Sequence, residues 1–427
     1  MKENQGRMLM NNIHVDIVVI GGGPAGLAAA ISAKKNGAEK ILILERNSWM
    51  GGILPQCIHD GFGVEEIGVS LTGPEYAEMY IKQAQKHQIA MMKETMVIQI
   101  TKEKNLLAIN SNGLFNINTK VIIFAMGCRE KTRWNSMIAG TRPSGIYTAG
   151  VAQAFINLYN ILPGKNVIIL GSGDVGLIIA RRLTFEGANV KGIIEILPQA
   201  SGLPRNVVQC LDDYDIPLFL NHTIVNIEGK ERVENVTIAQ IDDQMNPIAN
   251  TERIIHCDTV LLSLGLIPEN ELGKQIGICF DNSTGGPVVN QNFETSCNGF
   301  FACGNCLQVY DTVDMLSEDA KIAGRYAASK CMSETGNGFL QKSKIIAGAG
   351  VRYIIPQFVD RSGEVRLTFR VKKQRVNTKV QIYFGSKKVL SKKLPWVHPA
   401  NMTRLTINIP KKVVDAGQDI TVSVDEF

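Results

Sequence analysis

The sequence predicts an α/β fold followed by a separate all-β domain, and three observations predict it. At Val15–Glu45 an apolar β-type run stops on glycines and passes into a small-residue helix and a second apolar run. The same order of elements begins again at Asn166. Beyond about residue 340 the pattern changes to short alternating runs separated by turn residues.

In the first copy Ile17–Ile20 is the strand, Gly21, Gly23 and Gly26 fit G-x-G-x-x-G, and Ile41–Leu44 ends on Glu45. The first glycine allows a tight turn, the second lets backbone approach a pyrophosphate, and the third lets the helix pack closely on the strand. The helix N-terminus adds N–H groups and partial positive charge. Glu45 stands 19 residues past the last glycine, where a carboxylate holds a ribose hydroxyl. In a chain with 40 glycines the glycine pattern alone is weak evidence. Strand, helix, strand and acid in register make it a dinucleotide-binding unit.

After Glu45 come a loop with Gly51-Gly52 and a helical stretch at Pro74–His87. Strands are expected at Leu106–Ile109, Leu114–Ile117 and Val121–Phe124, closing on Ala125-Met126-Gly127. The second copy supplies Gly171, Gly173 and Gly176, with Val190–Ile194 as its strand and Glu195 again 19 residues on. Thr223–Ile227, Val236–Gln240 and Thr259–Ser263 continue it. Glu195 is expected to accept from both hydroxyls of an unphosphorylated ribose and to repel a 2′-phosphate. Ile196–Gln199 supplies no arginine for that phosphate, so the expected nucleotide is NAD(H). Two copies imply two Rossmann-like nucleotide-binding domains: residues 14–148 with 266–335, interrupted by an inserted domain at 149–265.

A third element, Phe300–Phe301 ending at Gly304-Asn305, precedes a helix from about Asp314. Its strand end can place a polar side chain on a cofactor's ribityl or phosphate groups. Residues 340–427 are expected to form a β-sandwich-like domain, with strands at Val351–Pro356, Val365–Val371, Val380–Phe384, Arg404–Ile409 and Ile420–Val424. That tail holds 11 Lys and 6 Arg against 6 acids, while the whole chain is only +5. It reads as a solvated or partner-docking surface. Nucleic acid is disfavoured, because no aromatic–basic interleaving accompanies the charge. No run approaches the ~18 apolar residues of a transmembrane helix. The N-terminal MKENQGRMLMNNIH lacks a signal-peptide core. Nine scattered cysteines read as reduced thiols in a cytoplasm.

Taken together, GGGPAG at Gly21–Gly26, Glu45, Ala125-Met126-Gly127, GSGDVG at Gly171–Gly176 and GFFACGN at Gly299–Asn305 resemble FAD-dependent pyridine nucleotide–disulfide oxidoreductases with thioredoxin-reductase-like domain order. GGILPQCIHDGFG, LTGPEY, AMGCRE, QCLDDYDIPL and LGLIPENEL resemble, more narrowly, the flavoproteins found beside anaerobic glycerol-3-phosphate dehydrogenases. Flavoprotein subunits of opine oxidases and hydrogen cyanide synthases are more distant. The resemblance implies FAD at Gly21, Gly23, Pro24, Ala25, Gly26, Glu45, Arg46, Gly52, Ala125, Gly127, Gly304 and Asn305. It implies NAD(H) at Gly171, Gly173, Asp174, Val175, Gly176 and Glu195. Asn305 departs from the family's usual Asp, so an amide must make that contact. The helix after it would point a positive end at an anionic reduced flavin. Implied partners are a dehydrogenase subunit of the glycerol-3-phosphate type and a small cysteine-rich iron–sulfur protein, in a hetero-complex or homo-oligomer.

Cys57 is the catalytic candidate, near where disulfide reductases of this class keep redox cysteines. His59 would lower its pKa if the side chains meet. A second cysteine five residues on is missing, since position 62 is Phe62, and so is a C-x-x-C in the inserted domain. A dithiol relay is therefore disfavoured. The bland alternative is that Cys57 and His59 only shape a pocket. Cys303-x-x-Cys306 has redox spacing but no second pair to complete a metal site, so no metal is assigned. Arg129, Glu130, Lys131 and Arg133 fit an interdomain salt bridge better than a substrate contact. The expected activity is FAD-dependent electron transfer between NAD(H) and an acceptor. Three rivals stay open: a stand-alone NADH-dependent disulfide or peroxide reductase using Cys57, an amine or opine oxidase subunit, and a non-catalytic assembly subunit.

Overall fold

A computed structural model describes residues 10–333 and 342–425. Its elements include, in chain order, strand β1 (Met10–Ile20), helix α1 (Pro24–Lys35), β2 (Ile41–Leu44), β3 (Gly113–Phe124), β4 (Asn166–Leu170), α2 (Asp174–Phe185), β5 (Asn189–Ile194), β6 (Thr259–Leu262), β7 (Phe300–Ala302) and α3 (Val313–Met332). The chain divides into two compact units. One runs to Cys128 and resumes at Pro268; the other is Arg129–Ile267.

In the first unit Ile17–Ile20 pairs in parallel with Ile41–Leu44 on one side and Val121–Phe124 on the other. All three stretches are buried. Parallel strands are buried on both faces, which is why these read as continuous apolar runs instead of alternating ones. β7 joins the sheet through Phe300↔Ile122, Phe301↔Ile123 and Ala302↔Phe124. The two runs expected at Leu114–Ile117 and Val121–Phe124 are one unbroken strand. Polar Asn118-Thr119-Lys120 does not interrupt it, because Lys120 pairs with Asp16 at 2.9 Å and the Thr119 hydroxyl donates to the Asp16 carbonyl.

Helix α1 buries Ala25 to Ile31 and Ala33. Small side chains let α3 come close: a Cβ on Gly324 would stand 2.0 Å from the Ala29 carbonyl oxygen. The tail forms a five-stranded and a three-stranded sheet around one apolar core. The expected strands are present, joined by Ser343–Ala347 and Lys387–Val397. The latter, KKVLSKKLPWV, is an exposed edge strand whose lysines hide its alternation. The tail's charge is not all surface. Arg366 and Arg404 both reach Glu318 at 3.0 Å and Asp319 at 3.2 and 3.3 Å, and Arg370 pairs with Asp311. Three of its arginines therefore hold the β domain onto α3 and the loop before it.

The second unit repeats the parallel core as β5–β4–β6, with Ile146–Thr148 on the outer side of β6. An antiparallel sheet of His222–Gly229, Val233–Gln240 and Arg253–His256 flanks it. The last of these strands is mostly exposed, which left no apolar alternation to read. Arg133 donates to the carbonyls of Ile138, Ala139 and Thr141, and Glu130 accepts from the Gly150 amide, all inside this unit.

Candidate functional site

The first glycine turn is built by close approach. Gly21 follows β1 with φ +108°, and a Cβ there would lie 2.3 Å from the Ala125 carbonyl oxygen. A Cβ on Gly26 would lie 1.9 Å from the Gly21 carbonyl oxygen, so α1 can pack on the turn only without side chains. Pro24 opens the helix, and its N-cap, Gly23, makes no side-chain cap. The first-turn amides therefore face outward without a side-chain acceptor, the arrangement that receives a phosphate. Glu45 ends β2 and is 4 % exposed. Its Oε2 accepts from the Gly22 amide and its Oε1 from the Asn47 amide, both at 2.8 Å. An ionised carboxylate has about four acceptor positions, so two remain for hydroxyls. The Gly51 amide donates to the Gly22 carbonyl, and a Cβ on Gly23 would stand 3.7 Å from Gly52 Cα. Backbone thus walls this groove on both sides. Arg46 lies on the surface beside it.

The third element arrives from the far end of the unit. The Cys303 amide donates to the Phe124 carbonyl, and a Cβ on Gly304 would meet Ala25 Cβ at 2.6 Å. Asn305 Oδ1 accepts from the Tyr310 amide at 3.1 Å, and its Nδ2 donates to Cys128 Sγ at 3.6 Å. Ala125 is buried beneath the Gly21 turn, and space opens in front of Gly127. The structure therefore gathers Gly21–Gly26, Glu45, Gly52, Ala125–Gly127 and Gly304–Asn305 at the C-terminal ends of parallel strands, where such sheets bind ligands. An uncapped helix end, a groove walled by glycine and a buried carboxylate with free lone pairs fit the phosphates and ribose of a dinucleotide.

The second site repeats the first. A Cβ on Gly171 would lie 2.2 Å from the Ser263 carbonyl oxygen, and one on Gly176 2.5 Å from that of Gly171. Gly173 N-caps α2 without a side-chain cap, and Val175 is exposed in its first turn. Glu195, also 4 % exposed, accepts from the Ser172 and Leu197 amides at 3.0 Å. Asp174 Oδ1 accepts from the Leu203 amide at 2.8 Å and the Asn206 side chain at 2.6 Å. Sequence reasoning stopped at the acid and missed the loop beyond it. Ser201-Gly202 stands as far past Glu195 as Gly51-Gly52 stands past Glu45, and it too folds back on its glycine turn, through the Ser201 amide to Ser172 Oγ at 2.9 Å. The signal was an E-x5-[GS]-G repeat present in both copies.

Cys57 comes directly after the short turn Leu54–Gln56, and its thiol donates to the Ile53 carbonyl at 3.5 Å. The expectation of a lowered pKa is corrected, because burial pushes this thiol up to about 12. His59 Nδ1 hydrogen-bonds with the Asp60 carbonyl at 3.0 Å, and its ring packs on Phe62 with centroids 4.9 Å apart. All nine cysteines are free. Burial pushes Cys306 up to about 11, and its thiol donates to the Phe124 and Cys303 carbonyls. Among the described residues no trio of His, Cys, Asp or Glu is placed to hold a metal, and no helix is long and apolar enough to cross a membrane. The N-terminus of α3 is partly engaged: Thr312 Oγ accepts from the Met315 amide. Asp314, which sequence reasoning missed, accepts from the Gly63 and Glu66 amides at 3.2 and 2.9 Å and so ties down the segment just after His59.

The family model for pyridine nucleotide-disulphide oxidoreductases matches residues 15–325, a span that holds both glycine turns and the Gly304–Asn305 element. The chain belongs to that family. Its members use FAD and NAD(P)H. The chain is 24% identical over 282 residues to hydrogen cyanide synthase subunit HcnB of Pseudomonas protegens, covering 61% of this chain and 58% of that one. It is 24% identical over 313 residues to the NAD(P)H coenzyme A polysulfide/persulfide reductase of Pyrococcus horikoshii, covering 69% and 63%. The matches therefore span about three fifths of those relatives' lengths. Among solved structures, T. acidophilum thioredoxin reductase shares the fold with a TM-score of 0.61 at 22% identity, over 75% of this chain and 99% of that one. An NAD-dependent persulfide reductase from A. fulgidus shares it with a TM-score of 0.58 at 16% identity, over 92% and 71%.

Proposed function

We propose that this chain is an FAD-dependent, NAD(H)-linked oxidoreductase that passes electrons to an acceptor as a subunit working with a dehydrogenase of the glycerol-3-phosphate type. One observation carries the two-cofactor part: two glycine turns of the same build, each with a buried glutamate pinned by the amide of the turn's second residue. Only the first turn is completed by a Gly304–Asn305 element, and that turn is assigned to FAD. The second is assigned to NAD(H).

Bound FAD supplies the redox chemistry, taking electrons in pairs and releasing them singly or in pairs. The chain's own residues orient and shield. Amides of Ala25 and Gly26 at the open end of α1 receive phosphate oxygens. Glu45 would accept from ribose hydroxyls, and Asn305, its side chain held between the Tyr310 amide and Cys128 Sγ, is the residue assigned to the ribityl side. In the second unit Glu195 sets a negative charge where a 2′-phosphate would sit, which disfavours NADP(H). The partnership rests on the sequence resemblance in the AMGCRE, QCLDDYDIPL and LGLIPENEL segments. A relative named as a hydrogen cyanide synthase subunit agrees with a role inside a complex.

Persulfide or disulfide reduction at Cys57 is the second reading, favoured by the activities for which several relatives are named. The raised thiol weighs against it. The test is to reduce the full-length FAD-reconstituted protein anaerobically with NADH and mix it with acceptors. Reoxidation by a glycerol-3-phosphate dehydrogenase flavoprotein subunit, with no effect of Cys57→Ser, supports the first reading. Reoxidation by coenzyme A persulfide that disappears in Cys57→Ser supports the second.

A further inference from the structure

The two buried glutamates differ in one respect. Among the described residues Glu45 accepts from two amides, Gly22 and Asn47. Glu195 accepts from four donors: the Ser172 and Leu197 amides at 3.0 Å, the Ser201 hydroxyl at 2.9 Å and the Ser172 hydroxyl. With about two acceptor positions on each carboxylate oxygen, Glu195 Oε2 is over-full where Glu45 Oε2 keeps one position open, while Oε1 accepts a single amide in both. Three of its donors crowd Oε2. Ser172 is fully buried in the glycine turn and cannot withdraw. Ser201 is partly exposed, so its hydroxyl can turn away from Glu195 while its segment stays held: its amide meets Ser172 Oγ, Gly202 packs beside Leu177 and the Ser172 carbonyl, and Leu203 and Asn206 hold Asp174.

We infer that Ser201 is the ribose-exchange position of the second site. Its hydroxyl holds Glu195 while the site is empty, and the ribose 2′-hydroxyl of NAD(H), which NADP(H) lacks, replaces it on Oε2. Ser201 is thus a positioning residue that competes with the nucleotide and sets how strongly Glu195 selects an unphosphorylated ribose. A 2′-phosphate has no proton to give Glu195 and gains nothing from the exchange. In the first unit Gly51 occupies the equivalent position and offers no competing hydroxyl, which matches the open acceptor positions of Glu45. The inference rests on the assignment of NAD(H) to this site.

Calorimetric titration of the full-length FAD-reconstituted protein with NAD+ and with NADP+ tests it without turnover. Ser201→Ala removes the competitor and is expected to tighten NAD+ about fivefold, the equivalent of one ordinary hydrogen bond, with NADP+ unchanged. Ser201→Gly, which carries the first unit's residue, should do the same and serves if the alanine variant folds poorly. Ser201→Thr should restore wild-type affinity. NAD+ affinity that is unchanged or weaker in the folded variants, or NADP+ tightening equally, overturns the inference alone. A wild-type protein that takes up no NAD+ overturns the site assignment and the inference with it.

Discussion

The Gly22 amide donates to Glu45 Oε2 at 2.8 Å across a separation of 23 residues, and Ser172 and Glu195 repeat that bond at 3.0 Å across the same separation. A buried anion held by a turn's own amide couples the glycine turn to the strand beside it. The residues proposed to bind nucleotide are therefore also residues that hold the fold together here.

Glu45→Gln tests that coupling. The amide keeps the size but presents N–H where an acceptor is needed, leaving a buried backbone donor unpaired at about 1–3 kcal/mol. FAD affinity, measured by flavin fluorescence on reconstitution, should fall roughly ten- to hundredfold by the same arithmetic.

Gly26→Ala is expected to do more than weaken binding. Its Cβ would stand 1.9 Å from a backbone oxygen that cannot move without dragging β1. Overpacking of this kind costs about 1–3 kcal/mol or more. Thermal melting should show the loss even without added FAD.

At Cys57 the prediction concerns pH. Burial raises this thiol to about 12, so at pH 7 the thiolate fraction is on the order of 10⁻⁵. Peptide-resolved alkylation by iodoacetamide should climb about tenfold per pH unit through pH 10 without a plateau. A plateau near neutral pH would show an activated thiolate instead.

Arg404→Ala should loosen the tail. It leaves Glu318 and the buried Asp319 short of one guanidinium, and breaking a buried pair from one side costs about 3–5 kcal/mol. Limited proteolysis should then release the β domain at concentrations of protease that wild type resists.

Much of this fold was legible because its strands are buried on both faces and its turns demand glycine at set intervals. Ile17–Ile20 and Ile168–Leu170 announce themselves as apolar runs, and Gly21 and Gly171 announce their turns. The continuous β3 was not legible, since a polar triplet in mid-strand looks like a break until Asp16 is seen beside it. Lys387–Val397 was hidden because an exposed edge strand keeps no apolar alternation. Glu45 and Glu195 lie against the glycine turns, as their spacing led one to expect, but their differing donors depend on Ser172 and Ser201, which meet only after folding. The Cys57 environment was misread for a similar reason: proximity of His59 in sequence says nothing about burial of the thiol.

The central claim is that the first glycine turn holds FAD and the second holds the nucleotide that reduces it. The visible spectrum of the purified, FAD-reconstituted protein, titrated anaerobically with NADH, tests this most directly. The account predicts yellow flavin bands that bleach with about one equivalent of NADH. Colourless protein after reconstitution, or flavin bands that stay oxidised under excess NADH, would contradict it.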